Sequence, residues 1–247
     1  MDPLICDLYE GDLNGRPDIA KLVAAGPPWH GIILKATEGT YYPARSATWF
    51  SNNWRLARSA AAYRYGVDWF RSAYHYLRID QDPIAQANSF LYLVDKAGGW
   101  GDGDFVPMVD VEGTGNPVNA TKQRVIDVVS AYAERILDAH GRRPGLYGGT
   151  YLVERGVTSN CGCQVLWFPR YTPSLPAWTY QRIGWRLSNQ VPTLWGWQYC
   201  GDGDSRLAGY PKTSPMGPCD VTAVVVAGGG QSALDWTRAH CWRPPSP

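Results

Sequence analysis

The segment FVPMVDVEG, residues 105–113, ends an apolar run in two carboxylates, Asp110 and Glu112, with a single valine between them. Side chains alternate along an extended strand, so both acids point to one face with Cα atoms roughly 6.7 Å apart. Two negative charges in so small a space repel, which pushes one pKa upward. The pair then suits a site that needs one proton donor and one carboxylate. A lone D-x-E is also the ordinary solvated end of a strand, and the rest of the chain has to decide between the two.

Those acids need elements to hold them. Apolar runs at 3–9, 31–37, 72–77, 105–112 and 143–149 read as strands, with helical patterns between them around 17–25, 51–64, 83–97 and 119–140. The last helix is the clearest: Val125, Val128, Val129, Tyr132, Ile136 and Leu137 recur at helical spacing and Gly141 is a natural stop. This alternation predicts parallel strands with helical crossovers. After residue 150 the pattern changes to plain strands at 164–168, 194–199 and 219–226, which fits a barrel that starts as βα units and closes with strands. Pro107 is an awkward residue for a central strand because it lacks a ladder donor. In parallel barrels chemistry sits at the C-terminal strand ends. Asp7, Lys35 with Glu38, His75, Asp110 with Glu112, and Tyr147 all fall there, so several strands are expected to deliver polar groups to one rim.

The 247 residues suit one domain, and with 45% hydrophobic and 18% charged residues the chain can bury a sizeable core. A net charge of +1 without a Lys/Arg cluster argues against a nucleic-acid partner. No apolar stretch has the length of a membrane span, so no stable membrane association is expected. The segment MDPLICDLYEGD has neither the basic nor the apolar region of a signal peptide, so synthesis in the cytoplasm is expected. Six cysteines allow 15 complete pairings. None of them has zinc spacing, the four histidines are scattered, and no metal or other cofactor is expected. The two GDGD segments, 101–104 and 201–204, read as turns, because Val106 and Pro107 spoil a calcium loop after Asp102. With 12 Trp and 15 Tyr against 5 Phe, the aromatic complement favours rings with a polar handle. Tyr74, Tyr147, Tyr171 and Trp197 are candidate sugar contacts, as is His75, for which a satisfied core position is equally open. Lys35 and Glu38 read as a structural ion pair.

An ordered set of motifs resembles the family 25 glycoside hydrolases, the Chalaropsis-type lysozymes. It comprises CDLYEGD near the start, GIILKATEG (31–39), AYHYL (73–77), IAQANSFL (84–91), PMVDVEG (107–113), RPGLYGG (143–149), LWFPRY (166–171), WGWQY (195–199) and CDVT (219–222). The resemblance implies an α/β fold, a flattened, irregular TIM-like (β/α)5β3 barrel over 1–227 with a short C-terminal extension, 228–247. It also implies a monomeric enzyme that cleaves the β-1,4 bond from N-acetylmuramic acid to N-acetylglucosamine in peptidoglycan glycan strands. By position Glu112 matches the general acid and Asp110 its partner, while Asp7 and Asp220 match the other active-site carboxylates. One neutral acid and several charged ones suit an oxocarbenium-like transition state. A direct nucleophile, an interposed water and attack by the substrate's acetamido oxygen all stay open, with net retention by the last route favoured. The lack of a leader and of wall-binding repeats suggests an endolysin that reaches the wall after release.

The sequence departs from the family's pattern where Cys6 precedes Asp7, where Tyr9 and Glu10 follow Leu8, and where Thr222 stands two residues after Asp220. If the two aspartates face inward, Cys6 and Cys219 face outward on neighbouring strands, and a Cys6–Cys219 bridge is an expectation. Two rival readings are a non-catalytic glycan-binding module on the same barrel and a zinc-dependent wall amidase. The four retained acids disfavour the first, and the scattered histidines the second.

Overall fold

Alternate residues of β1 (Leu4–Leu8) enter two different cores: Ile5 packs with Ile33, Met108, Val165 and Trp167, whereas Leu4, Cys6 and Leu8 pack with the helices. The same division runs through β2 (Trp29–Glu38), β3 (Phe70–Tyr76), β4 (Met108–Asp110), β5 (Gly145–Tyr147), β6 (Val165–Pro169), β7 (Thr193–Cys200) and β8 (Asp220–Val224). Strands buried on both faces require such a sandwich of cores. In the computed structural model, which describes residues 2–62, 69–157, 159–171, 193–201, 209–225 and 232–241, the eight strands close in sequence order into one barrel. Neighbours are parallel from β1 to β7, and β8 runs antiparallel to both β7 and β1. The chain therefore has the expected single-domain α/β barrel of five βα units followed by three strands.

Helices α1 (Ile19–Ala25), α2 (Ala44–Ala62), α3 (Pro83–Lys96), α4 (Lys122–His140) and α5 (Thr150–Glu154) follow the first five strands. The Asp82 side chain accepts from the amides of Ile84 and Ala85 to start α3, and Thr121 accepts from Arg124 to start α4. Gly141, at φ 74°, ends α4 where a side chain would be strained, and its amide donates to Leu137 O. No helix among the described residues is long and apolar enough to cross a membrane.

Several predicted bounds shift. The strand predicted over 105–112 keeps only Met108–Asp110, since Pro107 has no N–H to give and serves through its carbonyl, which accepts from Gly145 N at 2.8 Å. Helix α2 starts earlier than predicted, at Ala44, and α5 was missed because a five-residue helix carries too little periodicity. Residues 232–241 of the C-terminal segment pack on the barrel. Helix α6 (Ala233–Ala239) sits on the inner barrel cluster through Ala233, Leu234, Trp236 and the buried Cys241. Thr237 Oγ1 there accepts from Trp195 Nε1 at 3.0 Å.

Below α2, Arg71 forms a buried pair with Asp104 (2.8 Å and 2.5 Å), donates to Trp54 O at 2.6 Å and lies 3.4 Å over the Trp54 ring. The first GDGD segment is the turn that holds this acid, with Gly101 N donating to Asp104 Oδ2 at 2.7 Å. Residues 202–204 of the second lie outside the described residues. Cys6 and Cys219 both face the helix layer as expected, but no disulfide joins them; the two buried thiols hydrogen-bond to each other instead.

Candidate active site

At the C-terminal rim the pairing register brings polar residues from separate strands together. Tyr76, Asp110, Tyr147 and Trp167 are successive partners across β3, β4, β5 and β6, and Asp7 stands opposite Asp220 in the β1–β8 seam. Strand β4 ends at Asp110, yet Val111 still donates to Tyr147 O at 3.0 Å and turns its side chain to the outer core. Asp110 and Glu112 are thus left on the mouth side, as the period-two pattern predicts. Glu112 lines an open cleft of about 560 Å³ with Tyr147, Tyr151, Phe168, Arg170 and Tyr171, whereas Asp110 is 5% exposed behind it.

The electrostatics separate the acids. Burial pushes Asp110 well above the usual carboxylate range, the Glu112 charge adds to this, and Lys35 opposes it. Burial also raises Glu112, and Lys35 works the other way. Asp110 Oδ1 is buried without a hydrogen-bond partner among the described residues, a position better suited to a protonated carboxyl than to a bare charge. Both shifts favour the protonated form, and of the two acids Glu112 is the one that reaches the cleft. Asp7, 6% exposed, is raised by burial and by Asp220 and lowered by donation from Gln198. Tyr74 and Tyr147 stay neutral phenols, because burial and the surrounding acids push both well above the usual value.

Gln198 was not among the residues singled out from sequence, and it is the hub of the rim. Its Nε2 donates to both Asp7 oxygens (3.1 and 3.2 Å) and to Asp220 Oδ2 (2.9 Å), while its Oε1 accepts from Tyr147 (2.7 Å) and Tyr171 (2.9 Å). Trp197 was chosen from the same strand and lies on the other side. It is fully buried in the outer core, with Nε1 donating to Arg170 O at 2.7 Å. The cause is a register shift: Leu166 pairs with Leu194 but Trp167 with Gly196, so Trp195 is an extra residue that reverses the alternation after it. Gly196 then has to be glycine, since a Cβ would come 2.9 Å from Thr222 Cγ2 and 3.1 Å from Trp167 Cδ1.

His75 is likewise no substrate contact. It points outward between Tyr74 and Tyr76, is fully buried, and stacks on Tyr132 with ring centroids 5.1 Å apart. Its Nδ1 meets Thr37 Oγ1 at 2.7 Å and its Nε2 meets Gln86 Oε1 at 3.1 Å. Tyr74 lies under the acids with its ring edge-on to Trp167, and Tyr171, 49% exposed, stands at the lip. Lys35 and Glu38 form the expected ion pair at 2.7 Å, joined by Arg78 at 3.4 Å. Lys35 also acts on the acid pair, a role that its strand-end position alone did not reveal. Thr222, the departure noted above, accepts from Trp167 Nε1 at 2.8 Å and helps fix the indole beneath the rim. Among the described residues no group of three or more His, Cys, Asp or Glu side chains is placed to hold a metal ion.

A βα barrel with carboxyl pairs and phenols around its C-terminal mouth is the frame on which sugar-cleaving enzymes are built. The chain belongs to glycosyl hydrolases family 25, whose family model matches residues 9–206. That match stops short of both Asp7 and Asp220, so their convergence on the rim is a finding of the fold. Among solved structures, a bacterial lysozyme from Streptomyces coelicolor is 19% identical, with 98% of this chain and 99% of that one covered at a TM-score of 0.68. A muramidase from Trichobolus zukalii is 22% identical, with 96% and 99% covered at 0.66. The modular autolysin LytC from Streptococcus pneumoniae, solved with a synthetic peptidoglycan ligand, is 18% identical, with 89% of this chain and 46% of that one covered at 0.61. A comparison with curated proteins finds no match.

Proposed function

We propose that this chain is a muramidase, hydrolysing the β-1,4 bond from N-acetylmuramic acid to N-acetylglucosamine in peptidoglycan. The observation that carries the reading is the placement of Glu112, a carboxyl raised by burial, on the cleft wall directly in front of the buried Asp110. Glu112 protonates the leaving glycosidic oxygen. Asp110 steadies the group that attacks the anomeric carbon, and Asp7 and Asp220 favour the positive charge that develops on the sugar. The solved relatives named for muramidase or lysozyme action, together with the autolysin that holds a peptidoglycan ligand, support the choice of substrate. Action on the wall after release from the cytoplasm is part of the same proposal.

The test is mass spectrometry of borohydride-reduced products from purified peptidoglycan. Wild type is expected to create new reducing ends at muramic acid, and Glu112→Gln to lower their rate by about 10³-fold, within the range for loss of a general acid. Intact glycan with tight wall binding would sink the reading in favour of a binding module, and freed stem peptides would point to amidase chemistry.

A further inference from the structure

The amide of Gln198 has every hydrogen-bonding valence in use. An amide oxygen accepts two bonds and its nitrogen donates two. Here two phenols fill the oxygen, and the nitrogen sends one N–H to the fork of Asp7 and the other to Asp220. The side chain is 1% exposed, so water does not substitute for any of these partners. The orientation is also fixed, because reversing the amide would set its oxygen against two carboxylates. Of the residues it joins, only Tyr171 is largely open to solvent, and its ring forms part of the cleft wall. The main chain makes a second link, since Arg170 N, next to Tyr171, donates to Gln198 O at 2.9 Å.

We propose that Gln198 is a positioning residue that couples the sugar platform at Tyr171 to the ionisation of the Asp7–Asp220 pair. This rests on the hydrolase reading above. Two N–H donors favour the charged form of carboxylates that burial would otherwise protonate. Tyr171 and the two acids share this one amide, so a sugar laid against the Tyr171 ring bears on the group whose N–H donors favour the charged pair. Groups that act on this pair include Asp12 in the turn after β1, Tyr74 on β3, Asp110 at the end of β4, Tyr147 on β5, Tyr171 after β6, and the Cys6 and Cys219 thiols behind it. Among the hydrogen bonds of the described residues, the side-chain N–H donor to Asp7 is Gln198.

The test is the pH profile of kcat and KM on peptidoglycan fragments for wild type, Gln198→Glu, Gln198→Met and Tyr171→Phe, with thermal unfolding of each. For Gln198→Glu we expect kcat at neutral pH to fall about 10²-fold, the scale of losing a preorganised donor, with KM within about threefold. Lowering the pH should restore about tenfold, because the protonated carboxyl keeps an acceptor for the phenols and regains one donor. Gln198→Met should shift the acid limb upward without such recovery, and Tyr171→Phe should shift it the same way by less. Profiles that superimpose on wild type, whatever the rate, would overturn the coupling, as would wild-type turnover by Gln198→Met. If Gln198→Met does not fold, the other two variants decide. A wild type that creates no reducing ends refutes the hydrolase reading itself, before any variant is compared.

Discussion

Asp7 and Asp220 face each other across the antiparallel seam that closes the barrel, and the single amide nitrogen of Gln198 donates to both. The first and last strands of the barrel thus supply one electrostatic unit, while β4 and the turn after it supply the Asp110–Glu112 pair. The division bears on stability as well as on chemistry, because buried carboxyls with raised pKa values penalise the folded state once they ionise.

Asp110 is the clearest case. Its pKa is higher folded than unfolded, so its contribution to stability is present below about pH 4, the unfolded value, and is lost as pH rises through the folded one. Asp110→Asn should therefore flatten the fall between pH 4 and pH 8 and be more stable than wild type at pH 8 by about 1–2 kcal/mol, since a tenfold change in proton affinity is worth roughly 1.4 kcal/mol. Urea midpoints across that range would show it. A variant as pH-sensitive as wild type would mean that Asp110 ionises freely.

His75 acts in the opposite sense. Burial holds it at about 3, below an unfolded value of about 6.5, so its stability is present above pH 6.5 and is lost as pH falls. His75→Gln should cost about 1–3 kcal/mol at pH 7, where the contacts to Thr37 and Gln86 are disturbed. The deficit should shrink toward pH 4 in denaturant titrations and leave KM unchanged; a deficit that stays constant with pH would show that His75 does not stay neutral.

Two aromatic residues separate binding from packing. With the Glu112→Gln protein as a trap, Tyr171→Ala should weaken binding of glycan fragments about tenfold, as loss of a stacking ring does. Trp197→Phe should leave binding alone and lower stability by about 1–3 kcal/mol, because Arg170 O loses its buried donor. Calorimetry that gave the reverse pattern would place the sugar elsewhere.

Arg71→Met should destabilise the protein by about 3–5 kcal/mol, since it strands Asp104 in the interior with 8% of that side chain exposed. Adding Asp104→Leu should recover most of the loss, and thermal melts of the single and double variants would measure the pair directly.

Much of this molecule was legible in the order of its residues. Period-two alternation placed Asp110 and Glu112 on one side, and it held past the end of β4 because Val111 kept its outward seat. The βα order gave the barrel. Alternation failed at β7, where one extra residue, Trp195, exchanged the faces of Trp197 and Gln198, and a register shift leaves no mark in a run as uniformly aromatic as LWGWQY. At His75 the residue type suggested chemistry, but the partners that satisfy it, Thr37, Gln86 and Tyr132, come from three other elements.

The closure of β8 on β1 pairs Leu4 with Ala223, and α6 then seals the inner core. A chain emerging from the ribosome therefore carries β1 as an open edge until β8 has been made, with a parallel ladder on its other side only. Unpaired strand edges invite association between chains. High-level expression should thus be limited by how quickly the last strand arrives, and slower translation after β7 should increase aggregation even though the finished barrel has no edge to offer.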